Sequence, residues 1–192
     1  MSKPPLPHTS SQTVGPFFQL GLTGSRAVGR IAAPGVEGER IWLTCRVLDG
    51  DGAPVNDALI EIWQADAQGH YHHPDDPRRA GNPEFLGFGR QGTDEDGSCS
   101  FETIRPGRVP GPNNHLQAPH LNLAVFARGL LKHLTTRVYF SGDPANSDDP
   151  ILCLVPQERR DTLMAREHPA SRGAWHINIH LSGERETVFF DV

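Results

Sequence analysis

The stretch that decides the fold runs from Pro119 to Pro144 and reads PHLNLAVFARGLLKHLTTRVYFSGDP. It contains two segments in which apolar residues recur at every second position, separated by a turn that contains glycine. Such alternation is typical of strands that turn one face toward a core. The pattern therefore predicts a pair of core strands. Their second faces, which carry His120, Asn122 and Arg137, are the places where a site could be built.

Patterns elsewhere in the chain also predict short strands joined by turns. Further strands are expected at residues 41–48, 58–63, 98–103, 175–181 and 187–192. The 20 Gly and 17 Pro among 192 residues suit many short strands better than a helical bundle. Residues 156–166 predict the one short helix, with Pro156 near its first turn and Leu163 on its buried side. Together these features predict an all-β fold, an antiparallel β-sandwich with long loops and one short helix.

Two regions are expected along the chain. Residues 1–40 show no periodicity and many Gly and Pro residues, whereas residues 41–192 carry the predicted strands of the sandwich domain. Within the first region, Phe17 and Phe18 follow a Gly-Pro turn, and an apolar centre of this kind favours docking over disorder. We therefore expect an N-terminal arm, residues 1–40, that docks on a partner chain.

Composition and charge exclude several classes of function. A net charge of −5 and a sequence pI near 6.0 leave no basic stripe, so a nucleic-acid partner is not expected. No window approaches the roughly 18 apolar residues of a membrane span, and the N-terminus lacks a secretory pattern. The three Cys residues are far apart and form neither a CxxC nor a zinc spacing. These features predict a cytoplasmic protein with reduced thiols and no membrane contact.

Ten histidines call for a test of metal binding. His70, His72 and His73 lie in a polar loop, and the strand face that carries His176 and His180 is expected to be solvated. His120 differs from these because it begins a core strand and has Asn122 two residues later.

Five separated motifs occur in an order that resembles the intradiol ring-cleavage dioxygenases. They are Ile60–Asp66 (IEIWQAD), Gly69–Tyr71 (GHY), Thr103–Gly107 (TIRPG), Ala118–Asn122 (APHLN) and Thr136–Phe140 (TRVYF). The resemblance covers most of the chain, from about residue 15 to the C-terminus. It implies a β-sandwich and an activity that opens an aromatic ring between two hydroxyl-bearing carbons with O2 and non-haem iron.

The resemblance also implies how iron is held, by two tyrosinates and two histidines. Fe(III) prefers anionic oxygen donors such as tyrosinate, and its charge lowers a phenol's pKa. Tyr71 matches the first tyrosinate and His120 the first histidine, but Asn122 takes the place of the second histidine. The loop that should supply the second tyrosinate, residues 105–117, contains no Tyr. Tyr71, His120 and Asn122 are therefore predicted to be vestigial metal positions, with no metal and no catalytic residue on this chain.

Among family members, this departure resembles the alpha chains, which pair with an iron-binding beta chain of the same fold. It implies that the Fe(3+) cofactor resides on the beta chain and that the substrate is protocatechuate (3,4-dihydroxybenzoate). Arg137 matches an alpha-chain arginine near the substrate, and a guanidinium suits its carboxylate. Gly15 and Pro16 match a segment that lines the partner's substrate channel.

Several alternatives remain open from the sequence. His115 or His133 could replace a missing iron ligand, and Arg137 could form a structural ion pair. Arg90 and Arg128 are secondary candidates for substrate contact. The chain could also be a self-sufficient dioxygenase with an atypical iron site, or a transthyretin-like scaffold with no enzymatic role.

Overall fold

The computed structural model describes residues 8–15, 17–76 and 82–191. The strands in this part of the chain are β1 (Arg40–Leu48), β2 (Leu59–Trp63), β3 (Phe88–Gly92), β4 (Ser98–Ile104), β5 (His120–Phe126), β6 (Leu134–Phe140), β7 (Met164–Glu167) and β8 (Ala174–His180). One short α-helix, α1, spans Phe17–Leu22, and the other helical segments are 3-10 turns. The prediction of an all-β fold is confirmed.

The strands pair in the order β3-β2-β5-β6-β7-β8-β1-β4. The first four and the last four form two halves that join through the short β6–β7 contact, which pairs only Tyr139 with Met164 and Phe140 with Ala165. One apolar core contains residues from both halves, as a sandwich requires. The sheet is not wholly antiparallel as predicted, because β6 runs parallel to β7 and β8 runs parallel to β1. Alternation within a strand fixes its buried face but leaves the direction of its neighbour undetermined.

The two predicted core strands form as expected. β5 and β6 pair antiparallel, with Leu121 opposite Val138 on the buried face and Asn122 opposite Arg137 on the other. A second, smaller apolar cluster lies on the Tyr139 side and consists of Ala118, Tyr139, Leu152, Val155 and Leu163. The β5–β6 pair is therefore packed on both faces near its His120 end, which fixes the side chains there.

The prediction of an α-helix at residues 156–166 is wrong. Gln157–Leu163 forms a 3-10 helix, and Met164 then begins β7, which pairs with β6 and β8. The hydrogen bonds that β7 forms with β6 and β8 join the two halves of the sheet, and they outweigh the local preference of this segment for a helix. The strand predicted at residues 187–192 is also absent from the described residues 187–191. In that segment only Phe190 pairs with a strand residue, through a single β-bridge to Thr135. Residue 192 lies outside the described residues.

β3 was not foreseen, because its sequence FGRQG resembles a loop. Gly89 is required there: a Cβ at this position would lie 2.7 Å from Ile31 Cδ1 and 2.9 Å from Phe101 Cδ1. Ile31 and Phe101 of the core occupy the space that the side chain of a strand residue would normally fill.

The segment predicted as an arm contributes to the same core. Ile31 and Ala32 are fully buried, and Val28 and Ala32 form β-bridges to Arg90 and Phe85. The boundary at residue 41 therefore divides residues that pack together. Docking of the arm on a partner chain stays a prediction. No helix in the described ranges has both the length and the apolar character needed to cross a membrane.

Candidate functional site

The candidate site lies on the face of β5 and β6 that points away from the main core. Register places His120 opposite Tyr139 and Asn122 opposite Arg137, and β2 brings Trp63 beside Asn122. Alternation along both strands puts these four β5 and β6 side chains on one face. The observed register thus places His120, Asn122 and Arg137 on one face, as predicted from the sequence.

His120 is a buried, neutral histidine. Its side chain is only 3% exposed, and its Nδ1 lies 2.8 Å from the carbonyl oxygen of Ala118. A carbonyl can only accept, so Nδ1 carries the proton and Nε2 is left as an acceptor. Nε2 is buried and has no hydrogen-bond partner in the described part of the chain. Burial lowers the pKa of His120 to about 4, and the positive charge of Arg137 acts in the same direction.

The low pKa predicts a pH dependence of stability. His120 has a pKa of about 4 in the folded protein against 6.5 when free, so the unfolded chain binds the proton more readily between these values. The free energy of unfolding should fall as pH drops through this window, by about 2 kcal/mol between pH 7 and 4.5. Urea unfolding at both pH values should show this extra loss in the parent chain and not in His120→Leu.

His176→Leu is the matched control, since His176 is exposed on β8. It should lose as much stability on acidification as the parent chain does. Equal losses in all three proteins would show that His120 protonates as easily in the folded chain as in the unfolded one.

Tyr71 and Asn122 contact each other beside Trp63. The Asn122 amide donates from Nδ2 to Tyr71 Oη at 3.3 Å, and the Tyr71 and Trp63 rings stack with centroids 6.1 Å apart. The turn that carries Tyr71 is closed by a β-bridge to Ala65. The structure thus brings two of the three positions predicted to be vestigial into contact, with the Asn122 amide as hydrogen-bond donor to the Tyr71 phenol.

These residues do not fit a ferric ion. His120 has the tautomer and the unpartnered Nε2 that a ligand needs, but Asn122 presents an N–H donor toward Tyr71, where a second imidazole would be required. His133 cannot replace it, because it precedes β6 at the end opposite Tyr139, roughly 20 Å away along the strand. His115 is exposed whereas His120 is buried. Within residues 8–15, 17–76 and 82–191, no three His, Cys, Asp or Glu side chains form a group that could hold a metal.

Arg137 is the most informative side chain of the site. It is half-buried, and its Nη1 donates to Gln117 Oε1 at 2.6 Å and to Tyr139 Oη at 3.4 Å. Both acceptors are neutral, and within the described ranges Arg137 forms no ion pair. By contrast, Arg90 pairs with Glu61 at 2.7 Å, and Arg128 pairs with Asp57 at 3.1 Å. Of these three arginines, only Arg137 has a positive charge without a carboxylate partner.

A cleft opens beside Arg137. Its volume is about 450 Å³, within the range of small-molecule sites. Polar side chains from β5 and β6 form one side, and the other is mostly apolar. The lining residues are Asn122, Thr135, Arg137, Ile151, Leu154, Val155, Pro156, Val188, Phe190 and Asp191. Asp191 already has a cationic partner, Lys132, at 2.9 Å, so the Arg137 charge remains available in the cleft.

The structure does not join the predicted arm residues to this cleft. Near Gly15, the Thr13 hydroxyl accepts a hydrogen bond from Gly129 N at 2.7 Å, which places this part of the arm at the turn between β5 and β6. A Cβ added at Gly15 would meet nothing within 4 Å. Pro16 lies outside the described residues. A role of Gly15 and Pro16 in a substrate channel stays a prediction.

Three residues near Arg137 were not foreseen as part of the site, namely Gln117, Tyr139 and Asp149. Tyr139 shares the face of Arg137 two positions later, so the period of the strand was a usable signal. Gln117 and Asp149 come from irregular segments, where no pattern in the sequence indicates which side chain lies next to Arg137.

Comparisons with known proteins give a consistent result. A family model described as dioxygenase (Dioxygenase_C) matches residues 15–183. The protocatechuate 3,4-dioxygenase alpha chain of Burkholderia cepacia is 42% identical, over 97% of this chain and 98% of its own length. The beta chain from the same organism is 43% identical over 67% of this chain and 56% of its own length. Among solved structures, the dioxygenase domain of a carbohydrate-binding fusion from Streptomyces sp. SirexAA-E superposes with a TM-score of 0.63 at 26% identity, covering 81% of this chain and 87% of that domain.

Proposed function

Since the chain belongs to the intradiol ring-cleavage dioxygenase family, we propose that it is the alpha subunit of a protocatechuate 3,4-dioxygenase. In this proposal a beta chain of the same fold binds Fe(3+), and the assembly converts protocatechuate and O2 to 3-carboxy-cis,cis-muconate. This reaction belongs to aromatic catabolism in the cytoplasm, by the β-ketoadipate pathway. Similarity to both an alpha and a beta chain from one organism supports a hetero-oligomer.

The observation that carries the proposal is the uncompensated charge of Arg137 beside the cleft. A half-buried guanidinium whose only described hydrogen-bond acceptors are neutral is suited to bind an anion, and its planar fork matches a carboxylate. Protocatechuate carries its carboxylate away from the two ring hydroxyls. Arg137 can therefore hold the carboxylate while the hydroxyls face a metal that another chain supplies.

The donor set of this chain supports placing the iron on the partner. Tyr71 and His120 keep two of the four ligand types, but Asn122 takes the third place and the loop at residues 105–117 has no tyrosine for the fourth. A metal site that lacks two of its anionic or imidazole donors does not offset the hydration of a ferric ion. The role of this chain is to bind and orient the substrate and to form a wall of the site.

Co-expression with a beta chain tests the proposal. The two chains should purify together, open the ring of protocatechuate and contain iron, whereas this chain alone should do neither. The separated chains are then compared by iron analysis and by visible absorption. Ferric ion bound to this chain alone, with a tyrosinate-to-iron absorption band, would contradict the assignment.

A further inference from the structure

A connected set of hydrogen bonds fixes one edge of the Arg137 guanidinium. Both described bonds of this side chain use the same nitrogen, Nη1, which donates to Gln117 Oε1 and to Tyr139 Oη. An arginine has five N–H donors. In the described part of the chain Nε and Nη2 make no hydrogen bond. One edge of the fork is therefore held by the protein, and the rest is left for a ligand.

Gln117 is itself held in one orientation. It is 8% exposed, and its Nε2 donates to the carbonyl oxygen of Pro110 at 3.0 Å. Its backbone N–H donates to Val109, and Gly111 approaches closely enough that a Cβ there would lie 2.8 Å from Gln117 Cγ. Since the Gln117 amide nitrogen donates a hydrogen bond to the Pro110 carbonyl oxygen, the amide oxygen is the atom that faces Arg137.

Tyr139 is held from the other side by Asp149. Its Oη donates to Asp149 Oδ1 at 3.1 Å, so the proton points to the carboxylate and a lone pair faces Arg137. Asp149 is fully buried and also accepts from the backbone N–H groups of Ala118, Ile151 and Leu152, at 2.7, 2.9 and 2.7 Å. Burial raises the pKa of Tyr139, so its hydroxyl remains a neutral acceptor at physiological pH.

The neutrality of both acceptors has a consequence for binding. A carboxylate at either position would neutralise Arg137 within the chain and would compete with an anionic ligand. An amide oxygen and a phenol oxygen orient the guanidinium without cancelling its charge. The buried Asp149 contributes through Tyr139 and forms no ion pair with Arg137 in the described residues.

We infer that Gln117 and Tyr139 are positioning residues that hold Arg137 for a substrate carboxylate and so set the preference for acidic over uncharged catechols. This inference rests on the proposed function. Neither residue needs to touch the substrate, because each acts on the orientation of the guanidinium.

The test uses the complex of this chain with its beta chain. Gln117→Leu and Tyr139→Phe should each raise the KM for protocatechuate about tenfold, because each removes one acceptor from a charged group, while kcat stays within about twofold. Gln117→Glu keeps the size of the side chain but adds a competing carboxylate, and should raise KM about thirtyfold. The inhibition constant of catechol as a competitor should stay within about twofold in all three variants, since catechol has no carboxylate.

Two comparisons separate a positioning role from a structural one. Gln91→Leu replaces a half-buried glutamine of β3, two strands away from β5, and should leave the KM for protocatechuate unchanged. Adding Gln117→Leu to Arg137→Ala should not raise KM beyond that of Arg137→Ala, since the guanidinium to be oriented is gone.

The possible results distinguish the inference from the proposed function. If Arg137→Ala raises KM for protocatechuate while Gln117→Leu, Gln117→Glu and Tyr139→Phe leave it at the parent value, the positioning role is overturned and the proposed function stands. An equal loss of affinity for catechol and protocatechuate would also overturn it, because it would mark general damage to the site. A KM unaffected by Arg137→Ala would overturn the positioning role together with the proposed substrate contact of Arg137, and would leave the chain a scaffold for the beta chain.

Discussion

Replacing Arg137 with alanine in the complex with the beta chain should raise the KM for protocatechuate about 100-fold, with kcat changed by less than about threefold. The reason is that Arg137 is half-buried, carries no carboxylate partner in the described residues, and opens on a cleft of about 450 Å³. If Arg137 binds the substrate carboxylate as proposed, its loss removes a charge-assisted interaction made both in the bound substrate and in the transition state. Steady-state kinetics of the purified complex measure both constants. Arg137→Lys keeps the charge but loses the planar fork, and should raise KM about tenfold.

Arg128→Ala is the matched control. Arg128 is largely exposed and pairs with Asp57, so its removal should change the KM by less than about twofold. A parent-like KM in Arg137→Ala, with the complex intact, would mean that Arg137 serves only the structure of the sheet. The chain would then be better described as a scaffold for the beta chain.

Replacing Asp149 with alanine should lower the free energy of unfolding by about 4 kcal/mol. This carboxylate is fully buried and accepts hydrogen bonds from three backbone N–H groups and from Tyr139 Oη. Alanine would leave the N–H groups of Ala118, Ile151 and Leu152 and the Tyr139 hydroxyl without this acceptor, at the loop that forms one side of the cleft. Chemical denaturation of the isolated chain measures the change. Asp149→Asn keeps the shape but puts an N–H₂ group where an acceptor is needed, so it should also lose about 2 kcal/mol.

The neighbouring residue provides the control for this prediction. Asp148 is exposed, and Asp148→Ala should change stability by less than about 0.5 kcal/mol. If Asp149→Ala were as stable as Asp148→Ala, the four donors would have found water in place of the carboxylate. The loop at residues 149–152 would then not depend on the buried charge.

The strand pair β5–β6 also explains how the face that carries Arg137 is held in place. His120 and Asn122 occupy the face where an ion would be held, and Arg137 and Tyr139 lie directly opposite on the neighbouring strand. Tyr139 packs against the small apolar cluster and donates a hydrogen bond to Asp149. Packing and hydrogen bonds within the described residues therefore fix the side chains on this face.

The alternation around His120 to Phe140 was sufficient to predict two core strands and the face on which the site lies, because a period of two leaves one assignment of faces. The sequence also has Asn122 in place of a histidine and no tyrosine at residues 105–117, but the lack of an iron site on this chain stays a prediction. The same reading failed at Gln157–Leu163 and at β3, where pairing with distant strands and the packing of Ile31 on Gly89 outweigh local preference.

The sequence by itself thus determined the two core strands β5 and β6 and the face that carries His120, Asn122 and Arg137. Only the tertiary structure decided which groups surround Arg137, because Gln117, 20 positions earlier in the chain, bonds the guanidinium directly, and Asp149, 12 positions later, acts on it through Tyr139. The physical reason is that a hydrogen bond needs donor and acceptor atoms about 3 Å apart. In a loop that distance depends on how the backbone folds, which residue types and their spacing do not indicate. The path of the backbone decides whether the Arg137 guanidinium contacts a carboxylate or an amide. It thereby also decides whether the positive charge remains available to a ligand.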